Sequence, residues 1–261
     1  MKLMSAAHTE EPVFNVKTVD NNLVFSFGDA STSTNQTPTH TYAASGTYNV
    51  RLIVTTNNSC GDTLTKSVVI YPKPIAEFSV NDSDQCVNGN SFAFTNSSTI
   101  SSGTNTYRWN FGESANDTSI VSTPPNKVYA ANGNYTVTLL ATSNFGCKDT
   151  ADKPMVVYSK PTPTFAVNDT DQCINGNSFV FTNNSSINPS QGLSYLWSFG
   201  NGDTSTQTSP TKVYTAHGTY TVRVVVTSIN GCKDSVQRPV YVYPKPTPNF
   251  TINDSLQCYG Q

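Results

Sequence analysis

The residues of this chain with the chemistry to cross-link, bind a metal or catalyse are six cysteines, three histidines and a few paired carboxylates. The cysteines are Cys60, Cys86, Cys147, Cys173, Cys232 and Cys258. No Cys-x-x-Cys occurs, and His8, His40 and His217 do not cluster with them, so the spacing fits a disulfide set and not a zinc site. Disulfides in turn imply an oxidising, extracytoplasmic setting. Asp82 and Asp84 lie in the loop NDSDQ, and Asp169 and Asp171 in NDTDQ; with nearby carbonyls each pair could supply oxygens to Ca2+. Asp and Asn are also ordinary turn formers, and a related stretch reads NDSLQ. His40 or His217, with Ser and Asp nearby, raises a hydrolase triad. His40 aligns with Lys127 and Lys212, however, so no unit repeats the arrangement, and no nucleophile elbow occurs; no enzyme and no catalytic residue is expected. The same misalignment weakens Lys127 and Lys212 as isopeptide partners. Trp109 and Trp197 could stack on sugars, but each alternates with other aromatics in the manner of a core residue.

These residues recur because the chain repeats itself. PKPIAEFSVNDSDQC (Pro72 to Cys86) returns as SKPTPTFAVNDTDQC (Ser159 to Cys173) and as PKPTPNFTINDSLQC (Pro244 to Cys258). Between the copies, GTYNVRLIVTTNNSCGDT, GNYTVTLLATSNFGCKDT and GTYTVRVVVTSINGCKDS match one another. The cysteines set the period: 87 residues separate Cys60 from Cys147 and Cys86 from Cys173, and 85 separate the next pairs. A period of this size means whole small domains in series rather than solenoid turns. The expected divisions are 1–73 for a first repeat truncated or degenerate at its N-terminus, 74–160 for a second, 161–245 for a third, and 246–261 for the opening strand of a fourth.

Composition narrows the function. The 261 residues are 36% hydrophobic and 11% aromatic, enough for small cores, with only 12% charged residues and a net charge of −2. No basic stripe exists for nucleic acid or an anionic membrane, and no apolar run reaches the roughly 20 residues of a membrane-spanning helix. The segment MKLMSAAHTEEP lacks an apolar core of signal-peptide length.

Within a repeat the pattern is β throughout. Ile75 to Asn81 and Phe92 to Thr95 read as short extended runs. Tyr107, Trp109 and Phe111 share one strand face, as do Tyr195, Trp197 and Phe199. Tyr135, Val137, Leu139 and Ala141 alternate likewise, as do Tyr220, Val222, Val224 and Val226, and Tyr48, Val50, Leu52 and Val54. Met155 to Tyr158 supplies a last run. No sustained 3.6-residue period is present. The expectation is an all-β fold of antiparallel sandwiches.

These residues resemble the PKD domain, an immunoglobulin-like β-sandwich. Its marks are a WDFGDG-like strand end, an HxY-like step and GxYxVxLxV. They stand here as Phe25 to Asp29, His40 to Tyr42 and Gly46 to Tyr48; as Trp109 to Glu113, Tyr129 and Gly133 to Tyr135; and as Trp197 to Asp203, Tyr214 and Gly218 to Tyr220. The resemblance implies a core signature of Trp109, Phe111, Tyr135, Trp197, Phe199 and Tyr220, in an elongated tandem array. The first repeat departs from the pattern, with Phe25 in the Trp position and no counterpart of Cys86 through Ser98. The cysteines, the GCKD turn and the PKPTP linkers look like those of long cell-surface adhesins of gliding Bacteroidetes. That likeness implies a bacterial surface or secreted stalk for cell adhesion, with neighbouring repeats as partners and surface glycans or proteins as further ones. A glycan- or protein-binding module, or an accessory spacer of a secreted hydrolase, are the alternatives. Asp-Ser/Thr-aliphatic steps resemble an O-glycosylation signal of the same bacteria at Thr63, Thr150, Ser235 and Ser255.

The resemblance also bears on the cysteines. Pairing within a repeat would give Cys86–Cys147 and Cys173–Cys232, and each loop closure would contribute about 4 kcal/mol. In an immunoglobulin-like sandwich, however, the turn after the first strand and the last hairpin lie at opposite ends. A seven-residue strand spans about 23 Å, against about 7 Å for bridged Cα atoms. A bridge between neighbours, Cys86–Cys232, is therefore favoured, leaving Cys60, Cys147, Cys173 and Cys258 to partners outside the complete repeats. Stiff proline linkers would make the array semi-rigid. A strand from Pro248 to Asp254 could complete the first repeat of another copy head to tail.

Overall fold

The computed structural model describes Phe14, residues 22–253, Ser255, Leu256 and Gly260; His8, Asp254 and Cys258 lie outside the described residues. All the regular elements are strands. In the first repeat β1 (Asn22–Ser26), β2 (Thr32–Ser33), β3 (Gly46–Thr55) and β4 (Gly61–Ile70) form one antiparallel sheet ordered β2-β1-β3-β4. The second repeat contains β5 (Phe78–Val80), β6 (Asp84–Cys86), β7 (Phe94–Asn96), β8 (Asn105–Asn110), β9 (Thr118–Ser119), β10 (Gly133–Ser143) and β11 (Lys148–Tyr158). They form a sheet β6-β11-β10-β8-β9 and a facing pair β5-β7. The third repeat contains β12 (Phe165–Val167), β13 (Asp171–Cys173), β14 (Phe179–Asn183), β15 (Leu193–Ser198), β16 (Thr204–Ser205), β17 (Thr211–Lys212), β18 (Gly218–Ser228) and β19 (Lys233–Tyr243), in sheets β13-β19-β18-β15-β16 and β12-β14-β17. The chain divides into two compact units: Met1–Gln85 with Ser91–Tyr129 and Asn134–Val156, and Cys86–Asn90 with Ala130–Gly133 and Val157–Gln261.

The cores follow from the period-2 alternation. Val222, Val224 and Val226 of β18 are fully buried, and the register sets Trp197 opposite Val224. In the second repeat Trp109 faces Leu139, and both are fully buried. Rings from the small sheet close each core from the other side: Phe78 and Phe94 lie 5.1 and 5.8 Å from Trp109, and Phe165 and Phe181 lie 5.1 and 5.7 Å from Trp197. Each such buried side chain contributes roughly 1.5–3 kcal/mol.

The first repeat is thinner. Phe14 occupies the place of Phe78 and Phe165, 5.8 Å from Phe25 and 5.4 Å from Phe27. The counterpart of the strand carrying Phe94 or Phe181 is missing from the sequence. Leu52, Val54 and Val68 are accordingly only partly buried, whereas their equivalents in the third repeat, Val224, Val226 and Val240, are fully so.

Several elements differ from the sequence expectation. The run Ile75 to Asn81 is a strand only over Phe78–Val80, with one isolated bridge from Ile75 to Thr99, because the Ala76 N–H is taken by the Asp149 carboxylate. The last strand does not begin at Met155: β11 starts at Lys148, and its counterpart β19 pairs with β18 all the way from Lys233. Its first half is polar because that half alternates toward solvent. Beyond Tyr243 the described residues hold no strand. Phe250 is 81% exposed there, whereas Phe78 and Phe165, at the same place in their repeats, are buried, since a lone opening strand has no sheet to close.

One glycine recurs for a physical reason. Gly112 and Gly200 follow the buried phenylalanine with φ near +80°, and a Cβ would sit 2.6 Å from the Thr136 carbonyl oxygen or 2.9 Å from the Thr221 nitrogen. The turn presses directly on the central strand, and only glycine allows both the conformation and the approach.

Candidate functional site

Three sets of polar residues recur in register. The first is a cation held over two rings. Lys127 Nζ lies 5.9 Å from the Phe111 ring centre and 5.1 Å from that of Tyr129, with Glu113 Oε2 at 2.6 Å and Asp117 Oδ2 at 2.9 Å. Burial works to lower the Lys127 pKa, and the two carboxylates outweigh it and raise it. In the third repeat Lys212 sits over Phe199 and Tyr214 and pairs with Asp203. In the first repeat His40 takes the place, stacked on Phe27 at 4.1 Å, with Asp29 Oδ2 at 2.7 Å. Hydrogen bonds from Ser31 and then His40 hold the Asp29 carboxyl at about 2. Below His40, Lys127 and Lys212 a tyrosine hydroxyl (Tyr42, Tyr129 and Tyr214 respectively) donates to the carbonyl of the turn phenylalanine.

This geometry answers the triad idea. Ser31 Oγ and Asp29 Oδ2 both contact the same ring nitrogen of His40, Nε2, at 3.2 and 2.7 Å. A nucleophile relay needs the base between two partners on two different nitrogens. The set is a structural clasp.

The second set is the Asn-Asp-x-Asp-Gln turn. Asp82 Oδ1 accepts the Asp84 N–H, and Asp169 Oδ1 accepts the Asp171 N–H. Gln85 and Gln172 accept the N–H of Ser91 and Ser178, and Tyr243 donates to Asp171 Oδ1 at 3.0 Å. Asp82 Oδ1 and Asp169 Oδ1 thus serve the turn, and no group of three or more His, Cys, Asp or Glu placed to hold a metal ion occurs among the described residues. The turn delivers a strand that the sequence reading missed. β13 lies parallel on β19, with Cys173 opposite Tyr243, and is fastened by the Tyr241 and Ile174 N–H groups. β6 does the same on β11 through the Val156 and Val87 N–H groups.

The third set joins linkers, hairpins and cysteines. Cys86 and Cys232 form a disulfide with Cα atoms 5.5 Å apart, linking the end of β6 to the hairpin before β19. The within-repeat alternatives, Cys86–Cys147 and Cys173–Cys232, are thereby excluded. Cys60, Cys147 and Cys173 are free thiols, and Cys258 lies outside the described residues. Cys147 sits where Cys232 does, but the first repeat lacks the segment that would bring its partner. Beside the cysteines an unforeseen ion pair recurs. Lys73 Nζ meets Asp149 Oδ1 at 2.7 Å, and Lys160 Nζ meets Asp234 Oδ2 at 2.8 Å. The signal was in the repeat itself, since each PKP-like linker has its lysine and each hairpin its aspartate. Asp149 also takes the Ala76 N–H, which fixes how the chain enters the second repeat.

Hydrogen bonds from Lys73 and Lys160 hold Asp149 and Asp234 below the usual carboxylate range. A lowered folded-state pKa gives stability that is complete above the ordinary carboxylate value and lost as pH falls through the lowered one. Carbon-detected NMR titration should therefore place both carboxyls below the usual carboxylate range. Lys73→Gln should raise Asp149 alone toward the ordinary range, the Ala76 N–H still holding part of the shift. An unshifted Asp149 in the unsubstituted protein contradicts the clasp.

The remaining sequence candidates are placed simply. Trp109 and Trp197 are fully buried and donate to the Val121 and Gln207 carbonyls, so neither is a sugar platform. Phe111 and Phe199 are buried beside them, while Tyr135 and Tyr220 are half-buried, stacked at 3.9 Å on Tyr129 and Tyr214. Thr63, Thr150 and Ser255 are exposed; Ser235 is half-buried and accepts a hydrogen bond from Arg223.

The model of the PKD domain matches residues 10–70, 71–157 and 159–242. The pre-pro-metalloprotease PrtV of Vibrio cholerae is 42% identical over 81 residues, 31% of this chain and 9% of that protein. The collagenase ColA of Bacillus cereus is 46% identical over 54 residues, 21% of this chain and 6% of that protein. This chain thus spans less than a tenth of either relative. The solved PKD1 domain of the Vibrio cholerae metalloprotease PrtV is 36% identical over 32% of this chain and 98% of its own, with a TM-score of 0.29. With three consecutive matches over most of its length, the chain belongs to the PKD domain family.

Proposed function

We propose that this chain is a non-catalytic spacer segment of an extracellular bacterial protein, in which successive PKD repeats are stapled so as to bear load. The observation that supports this best is the Cys86–Cys232 bridge, which ties the second repeat to the third in addition to the Tyr158 to Pro161 connection. Stiff proline linkers clasped by Lys73 and Lys160 work in the same direction. In one form of this reading the segment is the stalk of a surface adhesin, holding a distant tip away from the cell. The relatives favour a second form, an accessory spacer beside a protease domain.

A spacer holds its neighbours and grips nothing else. The purified chain should stay in the supernatant when mixed with fibrillar collagen or insoluble polysaccharides, and should leave a glycan array blank. Saturable retention on any of these replaces the spacer with a binding module.

A further inference from the structure

The Cys86–Cys232 bridge passes over nearer partners. Cys60 and Cys86, Cys147 and Cys173, and Cys232 and Cys258 are each 26 residues apart in sequence, whereas the bridge spans 146. Closing a flexible loop costs (3/2)RT ln n, so in the unfolded chain each short pair forms about tenfold more readily than the long one. Synthesis delivers a chain N-terminus first, so Cys86 meets Cys60 and Cys147 before Cys232 exists. The observed pairing is therefore a choice made by the folded state.

Two non-covalent contacts make that choice. The Val87 N–H, next to Cys86, donates to the Tyr158 carbonyl at 2.8 Å and fixes the end of β6 at the end of β11. Two residues past Tyr158, Lys160 Nζ meets Asp234 Oδ2 at 2.8 Å, and Asp234 lies two residues past Cys232. Cys232 is itself fixed in its hairpin, its N–H on Ser228 Oγ and its carbonyl accepting the Ser228 N–H. Each thiol is thus anchored close to one end of the Tyr158–Lys160 link.

The same strands hold wrong partners apart. β13 lies parallel on β19 with Cys173 beside Tyr243, at the far end from Cys232, which stands just before Lys233. The 11 residues of β19 span about 35 Å, against about 7 Å for bridged Cα atoms. β6 on β11 repeats the arrangement for Cys86 and Cys147. Cys147 and Cys173 accordingly stay thiols.

We propose that the Cys86–Cys232 bridge is a post-folding step in the maturation of this chain, selected by the Lys160–Asp234 clasp and the β6 pairing. The reaction class that must supply it is thiol–disulfide exchange, because oxidation of the growing chain alone locks in Cys60–Cys86 and Cys147–Cys173. An outside thiolate reopens a short pair by bonding to one sulfur and releasing the other. In closure, one thiolate of Cys86 and Cys232 attacks a small-molecule disulfide such as oxidised glutathione and releases one thiol. The other thiolate then displaces the second, so that two protons and two electrons pass from the cysteines to the two released thiols. The inference stands apart from the spacer reading, which holds however the bridge is made.

The test starts from the reduced full chain and reads peptide maps made without reduction. Oxidised by glutathione disulfide in concentrated urea, the chain should give mainly the short pairs, with Cys86–Cys232 under about a tenth of the product. Diluted from urea without thiol, those pairs should persist; with reduced glutathione they should convert to Cys86–Cys232. A chain folded before oxidation should form that bridge directly. Lys160→Gln should slow its closure about two- to fivefold, while Lys73→Gln, at the equivalent place in the first junction, leaves the rate unchanged. In Cys232→Ser, Cys86 should not move to Cys147. Any of four results overturns the proposal: Cys86–Cys232 as the main product in urea, short pairs that survive reduced glutathione, equal closure rates for Lys160→Gln and the unsubstituted chain, or a Cys86–Cys147 bridge in folded Cys232→Ser.

Discussion

Stretched to full unfolding between its ends, the chain is expected to be about 500 Å shorter when oxidised than when reduced. The bridge joins residues 146 apart in sequence, and each hidden residue withholds about 3.5 Å of contour. Tension entering at the N-terminus reaches Cys86, crosses the disulfide and leaves through Cys232 and β19. Strands β7 to β18, with nearly all of the second core and most of the third, lie inside the covalent loop and never take the full load. The same closure restricts the unfolded chain. For a loop of this size it contributes about 5 kcal/mol of stability in the chain-entropy model. Single-molecule force spectroscopy on the full chain, with and without reductant, reads the difference directly, and Cys86→Ser should give the long contour under both conditions. Equal lengths in the two states would falsify the load path and remove the main support for a spacer under tension.

That load path depends on features the sequence disclosed unevenly. Where one strand face is buried and the other wet, the pattern was plain. Val222, Val224 and Val226 alternate with neighbours that are less buried, and are themselves buried as the alternation requires. The rings at 107–111 and 195–199 were equally clear, because an aromatic at every second residue has only one use in a small sandwich. The failures fall where backbone geometry or long-range pairing decides. β6 and β13 are three-residue strands of polar composition inside a turn-forming loop, and they exist because the edges of β11 and β19 offer unpaired N–H groups. The Lys73–Asp149 and Lys160–Asp234 pairs couple residues about 75 positions apart. Each partner had an ordinary local reading, the lysine as linker punctuation and the aspartate as a strand start. Asp82 and Asp84 admit two local readings, and the structure shows one of them, a turn in which Asp82 Oδ1 accepts the Asp84 N–H.

Trp197→Ala should lower the stability of the third repeat by about 3–5 kcal/mol, a large fraction of what a domain of this size possesses. The indole is fully buried, lies 5.1 Å from Phe165 and 5.7 Å from Phe181, and its Nε1–H satisfies the Gln207 carbonyl at 2.9 Å. Truncation leaves a cavity between the two sheets and strands that carbonyl. Leu196, one residue earlier on the same strand, points the other way and is 50% exposed, so Leu196→Ala should change stability by no more than about 0.5 kcal/mol. Trp197→Phe separates the two losses, since it keeps most of the packing and gives up the hydrogen bond, for about 1–2 kcal/mol. The first repeat already has that substitution: Phe25 stands in the indole position, with Phe14 against it. Native-state hydrogen exchange at the amides of β15 and β18 follows the third repeat alone, and Trp109 fluorescence reports on the second as a control. If Trp197→Ala and Leu196→Ala produce similar losses, the rings do not form the core that makes each repeat an independent sandwich.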